Sequence, residues 1–225
     1  MKFEMNTIQN IDCIEAMKEI PDQFFDLAIV DPPFGIKIVS QFKRTINQKK
    51  SMMRGSNGIV GGEWDDAIPG REYFEELERV SKNRIIWGGN YFLDHLGSTR
   101  CLIVWDKMNG GNPLADAEIA WTSFEKSVRI FRLHHFSKGY ESSGPGKKIH
   151  PTQKPVKLYK WILSNFAKEG DRILDTHGGS GSLAIASHDL GHEFLIFEID
   201  PEHCQNARKR LEDHRSQMNI FEFIE

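Results

Sequence analysis

Two short runs in this 225-residue sequence combine side chains that could do chemistry. The first is Asp31-Pro32-Pro33-Phe34, which brings together a carboxylate, two consecutive prolines and an aromatic ring. The prolines fix φ, remove two backbone donors and bias the residues before them away from helix. The result is a stiff turn that presents a carboxylate, bare carbonyls and a ring. Such a turn suits a planar ring that carries an amino group. That ring can stack on Phe34, a contact worth roughly 1–3 kcal/mol, while its two amino hydrogens go to the Asp31 carboxylate and the Pro32 carbonyl. The second run is Asp175-Thr176-His177-Gly178-Gly179-Ser180-Gly181, with Glu198 further along. Its glycines allow positive φ and close approach of backbone to a ligand. An acid placed after the following strand can accept both hydroxyls of a ribose.

Both runs need strands to position them. Leu27 to Val30 is apolar and β-branched, so it reads as a buried strand with Asp31 at its carboxyl end, where open α/β sheets bind ligands. Residues 172–175 read as a strand, 182–190 as a helix stopped by Gly191, 194–197 as a strand ending at Glu198, and 201–215 as a helix. Earlier in the chain, residues 7–12 read as a strand ending in an acid and 13–20 as a short helix. Residues 71–81 form a helix with Tyr73, Phe74, Leu77 and Val80 on one face. Strands follow at 84–87 and 101–105, and 117–121 with 128–132 are expected to form an antiparallel pair closing the sheet edge. Pro155 suits the first turn of a helix reaching Phe166 that buries Leu158, Ile162 and Phe166. The fold class is α/β: a Rossmann-like, mostly parallel sheet with an antiparallel edge and helices on both faces. The length allows one full domain, here the whole span 1–225.

Composition narrows the function classes. Hydrophobic residues make up 39% and charged residues 27%, as in soluble globular proteins. No run approaches the length of a membrane span, and the amino terminus lacks a signal-peptide core. Cys13, Cys101 and Cys204 are too scattered for a disulfide framework or a metal site, and a cytoplasmic location fits them. The net charge of −3 hides an asymmetry. Lys37, Lys43, Arg44, Lys49, Lys50 and Arg54 form a run without an acid, and Lys138, Lys147 and Lys148 lie in a second basic region. Such clusters suit contact with a phosphate backbone. Residues 36–62 are polar, basic and glycine-punctuated, and are expected to act as a mobile lid; 133–149 reads as a short Gly-, Ser- and Lys-rich loop that could face the same phosphate backbone.

The glycine loop has a rival reading. Gly179-Ser180-Gly181-Ser182-Leu183-Ala184 fits the dinucleotide pattern G-x-G-x-x-A, with Glu198 at about the expected distance, so an NAD-dependent oxidoreductase belongs to the alternatives. Against it, Asp175 would repel a pyrophosphate but welcome the ammonium of an amino-acid-like cofactor. The loop also comes late, with no second catalytic domain after it. Asp175, the glycines and Glu198 together favour S-adenosylmethionine.

Taken in this order, the two runs resemble the permuted β-class of DNA amino-methyltransferases, of the adenine-N6 type. His150-Pro151-Thr152-Gln153-Lys154-Pro155 resembles the family segment that leads into the cofactor half. Ile11-Asp12-Cys13 resembles its Gly-Asp-Cys start, and Phe197-Glu198-Ile199-Asp200-Pro201 its ribose-binding acidic segment. The resemblance implies that Asp12 and Cys13 border the cofactor adenine and Glu198 holds its ribose. It places Thr152, Lys154, Asp175, Thr176, His177, Gly178, Gly179, Ser180 and Gly181 around the methionine part. It makes Asp31, Pro32, Pro33 and Phe34 the catalytic turn. The sequence departs from the family's Asp-Pro-Phe-Ala-Gly-Ser-Gly at Thr176, His177 and Gly178, which puts an imidazole where an apolar ring is usual. His177 is assigned to cofactor contact and could make affinity pH-dependent.

The resemblance implies site-specific methylation of adenine N6 in double-stranded DNA, with the base flipped out of the helix. Cytosine-N4 methylation is an alternative, although that branch usually has Ser in place of Asp31. Adenine-N6 methylation of RNA and a catalytically silent nucleic-acid-binding subunit are further alternatives. A homodimer and a cognate restriction enzyme are open as partners, and a separate target-recognition domain finds little room.

Overall fold

Phe25–Val30 (β2) is buried along almost its whole length, as expected of a parallel strand covered on both faces. A computed structural model of the protein describes residues 3–35, 68–110, 115–134 and 153–222, with side chains to 217. The expected lid 36–62, most of the loop 133–149, Thr152 and all nine basic residues assigned to nucleic acid therefore lie outside the described residues.

Around β2, eight strands form one sheet in the order β1-β8-β7-β2-β3-β5-β4-β6. They are Thr7–Asn10 (β1), β2, Ser81–Trp87 (β3), Leu102–Asp106 (β4), Ala117–Thr122 (β5), Arg129–Arg132 (β6), Arg172–Asp175 (β7) and Glu193–Glu198 (β8). β5 alone among them runs opposite to its neighbours. Here the structure corrects the expected edge. β5 does not pair with β6; it lies between β3 and β4, antiparallel to both, and β6 closes the edge parallel to β4.

The helices are Cys13–Lys18 (α1), Arg71–Val80 (α2), Leu93–Leu96 (α3), Val156–Phe166 (α4), Ser182–Asp189 (α5) and Pro201–Glu222 (α6). Tyr73, Phe74, Leu77 and Val80 of α2 pack with Ala16 and Met17 of α1 on Ala28, Val30, Ile86 and Leu174. On the opposite face α4, α5 and α6 cover Leu27, Ile29, Ile85, Trp87 and Ile173. Each fully buried side chain of this kind contributes roughly 1.5–3 kcal/mol. Helices thus cover both faces. Among the described residues no helix is long and apolar enough to cross a membrane.

Two further elements differ from expectation. Asp12 does not end the first strand; its Oδ1 accepts the N–H groups of Ile14 and Glu15 and caps α1. The last helix continues past residue 215 to Glu222, since no glycine or proline stops it.

Candidate active site

The carboxyl ends of β2, β7 and β8 converge on one cavity of about 270 Å³. Asp31 follows β2 directly and lines it, as does Pro33. From the second run, Thr176, His177, Gly178, Gly179, Ser180 and Glu198 line it, joined by Asp12, Cys13 and Lys154 from elsewhere in the chain.

The glycine loop is held by its own acid. Glu198 accepts the N–H of Gly179 at 2.7 Å through Oε2 and the N–H of Asp200 at 2.9 Å through Oε1. Gly178 packs against β8: a Cβ there would meet Ile196 Cγ2 at 2.5 Å. From α6, Arg210 donates to the Ser180 carbonyl at 2.8 Å and to Ser182 Oγ at 3.0 Å. Gly181, at φ +72°, stands as the N-cap of α5 behind the wall. Asp175 is buried below the loop, where Oδ1 accepts the His177 N–H at 2.9 Å. Burial pushes its carboxyl up to about 8, against the pull of that hydrogen bond.

Tyr73 of α2 hydrogen-bonds Thr176 at 2.7 Å, and Thr176 Oγ1 lies 2.9 Å from His177 Nδ1. Burial lowers the His177 imidazole to about 4, so it is neutral near pH 7. Burial likewise pushes the Cys13 thiol up to about 12, which leaves it un-ionised.

Around Asp31 the charges alternate. Lys154, its side chain only 3% exposed, donates to Asp31 Oδ2 and lies 3.3 Å from Glu118 Oε2. Its ammonium also sits 5.1 Å from the Trp87 ring centroid and 6.0 Å from that of Phe34. Asp31 Oδ1 is buried and has no hydrogen-bond partner among the described residues. An unmade bond at a buried acceptor costs about 1–3 kcal/mol, so Oδ1 has the capacity to take an incoming donor.

The model of a protein family described as DNA methylase matches residues 104–209. Type II methyltransferase M.HinfI of Haemophilus influenzae is 27% identical over 266 residues, spanning 98% of this chain and 72% of that protein. The chain is thus similar to DNA methylases, through the model over about half its length and through M.HinfI over nearly all of it. Type II methyltransferase M2.DpnII of Streptococcus pneumoniae is 44% identical over 63 residues, 28% of this chain and 24% of its own length. The fold is that of S-adenosylmethionine-dependent methyltransferases. The crystal structure of the M1.HpyAVI–SAM complex superposes with a TM-score of 0.59 at 22% identity, covering 91% of this chain and 98% of that one. PvuII DNA methyltransferase, titled cytosine-N4-specific, gives 0.56 at 14%, covering 94% and 90%.

Against that family, the cavity fits S-adenosylmethionine on its own chemistry. A buried carboxylate at the end of β8 lines it, with lone pairs left over that could accept hydroxyls, a glycine loop lets backbone approach, and Asp12 and Asp31 suit a cationic ligand. Lysine 154 lines the cavity, but its ammonium is committed to Asp31 and Glu118. Phe34 and Pro32 are not on the wall. The Phe34 ring stacks on Tyr91 and packs against Phe92. Sequence reasoning missed Ile11, Gln153, Tyr159, Ser182, Ile199 and His203 on the wall. Ile11, Gln153, Ser182 and Ile199 lie inside the quoted runs, each beside an assigned residue, and could have been found by assigning those neighbours too; Tyr159 and His203 lie on the helices that follow.

Proposed function

We propose that this protein transfers a methyl group from S-adenosylmethionine to N6 of a flipped-out adenine in double-stranded DNA. The observation that carries the reading is Asp31: a carboxylate on the cavity wall, anchored through Oδ2 and unpartnered at Oδ1, followed by two prolines. The bound cofactor supplies an electrophilic methyl group. Glu198, the Gly178–Gly181 loop, Asp12, Cys13, Thr176 and His177 would hold it, with Thr152 from the resemblance.

The exocyclic nitrogen of adenine is a poor nucleophile because its lone pair is delocalised into the ring. Asp31 Oδ1 accepts one amino hydrogen and the Pro32 carbonyl the other, which favours a pyramidal nitrogen with a free lone pair. The proton that N6 sheds passes to Asp31. Catalysis is positioning and electrostatics, with no covalent bond between enzyme and base. Flipping the base costs a few kcal/mol, which the basic segments 36–62 and 133–149 help offset. Asp31 in place of the serine usual in cytosine-N4 relatives favours adenine. A second copy of the chain and a restriction enzyme of the same specificity belong to this reading as partners. So does a cytoplasmic location, supported by the free thiols Cys13, Cys101 and Cys204.

The test is Asp31→Ala. The variant is expected to bind S-adenosylmethionine within about threefold of the parent and to lose methyl transfer. Near-normal turnover would falsify the assignment.

A further inference from the structure

Four ionisable side chains of alternating sign lie in a row beneath the carboxyl ends of β2 and β4. Asp31 contacts Lys154, Lys154 contacts Glu118 at 3.3 Å, and Glu118 contacts Lys107 at 2.5 Å. The reversed direction of β5 puts Glu118, near its first residue, at the same sheet edge as Asp31 and as Lys107 after β4. Lys154 is 3% exposed at its side chain and Lys107 11%. Glu118 and Lys107 do not line the cavity. A buried charge without a counter-charge is costly, so each link depends on the next.

We propose that Lys107 and Glu118 are positioning residues that act through Lys154: Lys107 favours the Asp31 carboxylate, and Glu118 shares Lys154 so that Oδ1 stays open to the target amine. This rests on the reading of Asp31 given above. A lysine shared between two carboxylates binds either less tightly than a sole partner does. Lys154 therefore anchors Asp31 Oδ2 without quenching the carboxylate as an acceptor, and Lys107 keeps Glu118 from drawing Lys154 away.

Among the described residues, Tyr73 from α2 and Asp175 from β7 also face Asp31. Burial keeps the Tyr73 hydroxyl un-ionised and pushes the Asp175 carboxyl up to about 8, so near pH 7 neither carries a full charge. Burial pushes the Asp31 carboxyl up; Lys154 and Lys107 oppose this, and Glu118 adds to it. Removing Lys107's charge must therefore raise the pH at which Asp31 ionises, and removing Glu118's charge must lower it.

The experiment compares Lys107→Gln, Glu118→Gln, the double variant and Lys107→Arg in the full-length chain. The Asp31 carboxyl carbon is followed by NMR against pH without cofactor or DNA, its signal assigned by loss in Asp31→Asn. The acid limb of kcat is measured in parallel. Lys107→Gln is expected to move both midpoints up by about one pH unit, a tenfold loss of rate on the acid limb. Glu118→Gln moves them down, the double variant lies between, and Lys107→Arg matches the parent. S-adenosylmethionine affinity stays within twofold throughout. Because the two single variants have opposite signs, either one that folds decides the matter. Unmoved midpoints, or shifts of the same sign, overturn the proposal. Opposed NMR shifts in a protein that methylates no adenine leave the charge row intact and refute only the adenine reading.

Discussion

The ring of Phe34 lies nearly parallel to that of Tyr91, with centroids 5.1 Å apart and planes 15° from each other. Phe34 is the ring expected to receive the target base, and in the free protein one face is already taken. A stacked aromatic pair is worth about 0.5–1.5 kcal/mol beyond its burial, against roughly 1–3 kcal/mol for a base on an aromatic ring. The base can therefore displace Tyr91, which is 46% exposed. Phe34→Ala is expected to raise KM for DNA at least fivefold, and Tyr91→Ala to leave it unchanged or lower it; Phe34→Tyr should work. If Tyr91→Ala raises KM as much as Phe34→Ala, the base lies between the two rings instead of replacing one.

Gly88 sets where Phe34 sits. It adopts φ +68°, and a Cβ there would meet the Phe34 ring at 2.2 Å. Gly88→Ala should therefore push the ring out of place and reduce kcat/KM for DNA by tenfold or more. Cofactor affinity, measured by calorimetry, should be unaffected. Full activity in this variant would show that Phe34's position does not matter to base capture.

Glu198 spends both carboxylate oxygens on backbone N–H groups of Gly179 and Asp200. Glu198→Gln leaves one of those donors facing an amide nitrogen. Charge-assisted hydrogen bonds are worth about 1.5–3 kcal/mol, so S-adenosylmethionine should bind on the order of ten- to a hundredfold more weakly. Calorimetric titration checks it, and unchanged affinity would remove Glu198 from the ribose site.

His177 was expected to make cofactor affinity pH-dependent. Burial holds it neutral down to about pH 4, below its ordinary value of 6.5. Affinity should be flat between pH 6 and 8 as far as His177 is concerned. The unfolded chain takes up a proton on this histidine between pH 6.5 and 4 while the folded protein resists it, so stability is lost as pH falls through that window. In His177→Gln, melting temperature should fall less steeply from pH 6.5 to 4.5 than in the parent. Parallel curves would contradict a buried neutral imidazole.

What could be read from the sequence was local. The apolar run into Asp31, the face of α2 and the strand–glycine loop–helix around Gly178 each carry their signal within a few residues. The wall residues Asp12, Cys13, Thr176, His177 and Glu198 followed from motifs of that kind. The contact of Lys154 with Asp31 joins segments far apart in the chain, and neither segment encodes it alone. Glu118 was missed for a related reason. It matters only because β5 inserts between β3 and β4 in reverse, a pairing that apolar periodicity does not specify.

The central claim is tested most directly by incubating the protein with labelled S-adenosylmethionine and mixed-sequence duplex DNA, then digesting to nucleosides for mass detection. RNA of the same sequence runs alongside. The account predicts N6-methyladenine in the duplex, at a recurring sequence, and none with Asp31→Ala. N4-methylcytosine, methylated RNA alone, or no methylated base despite measurable cofactor binding would contradict it.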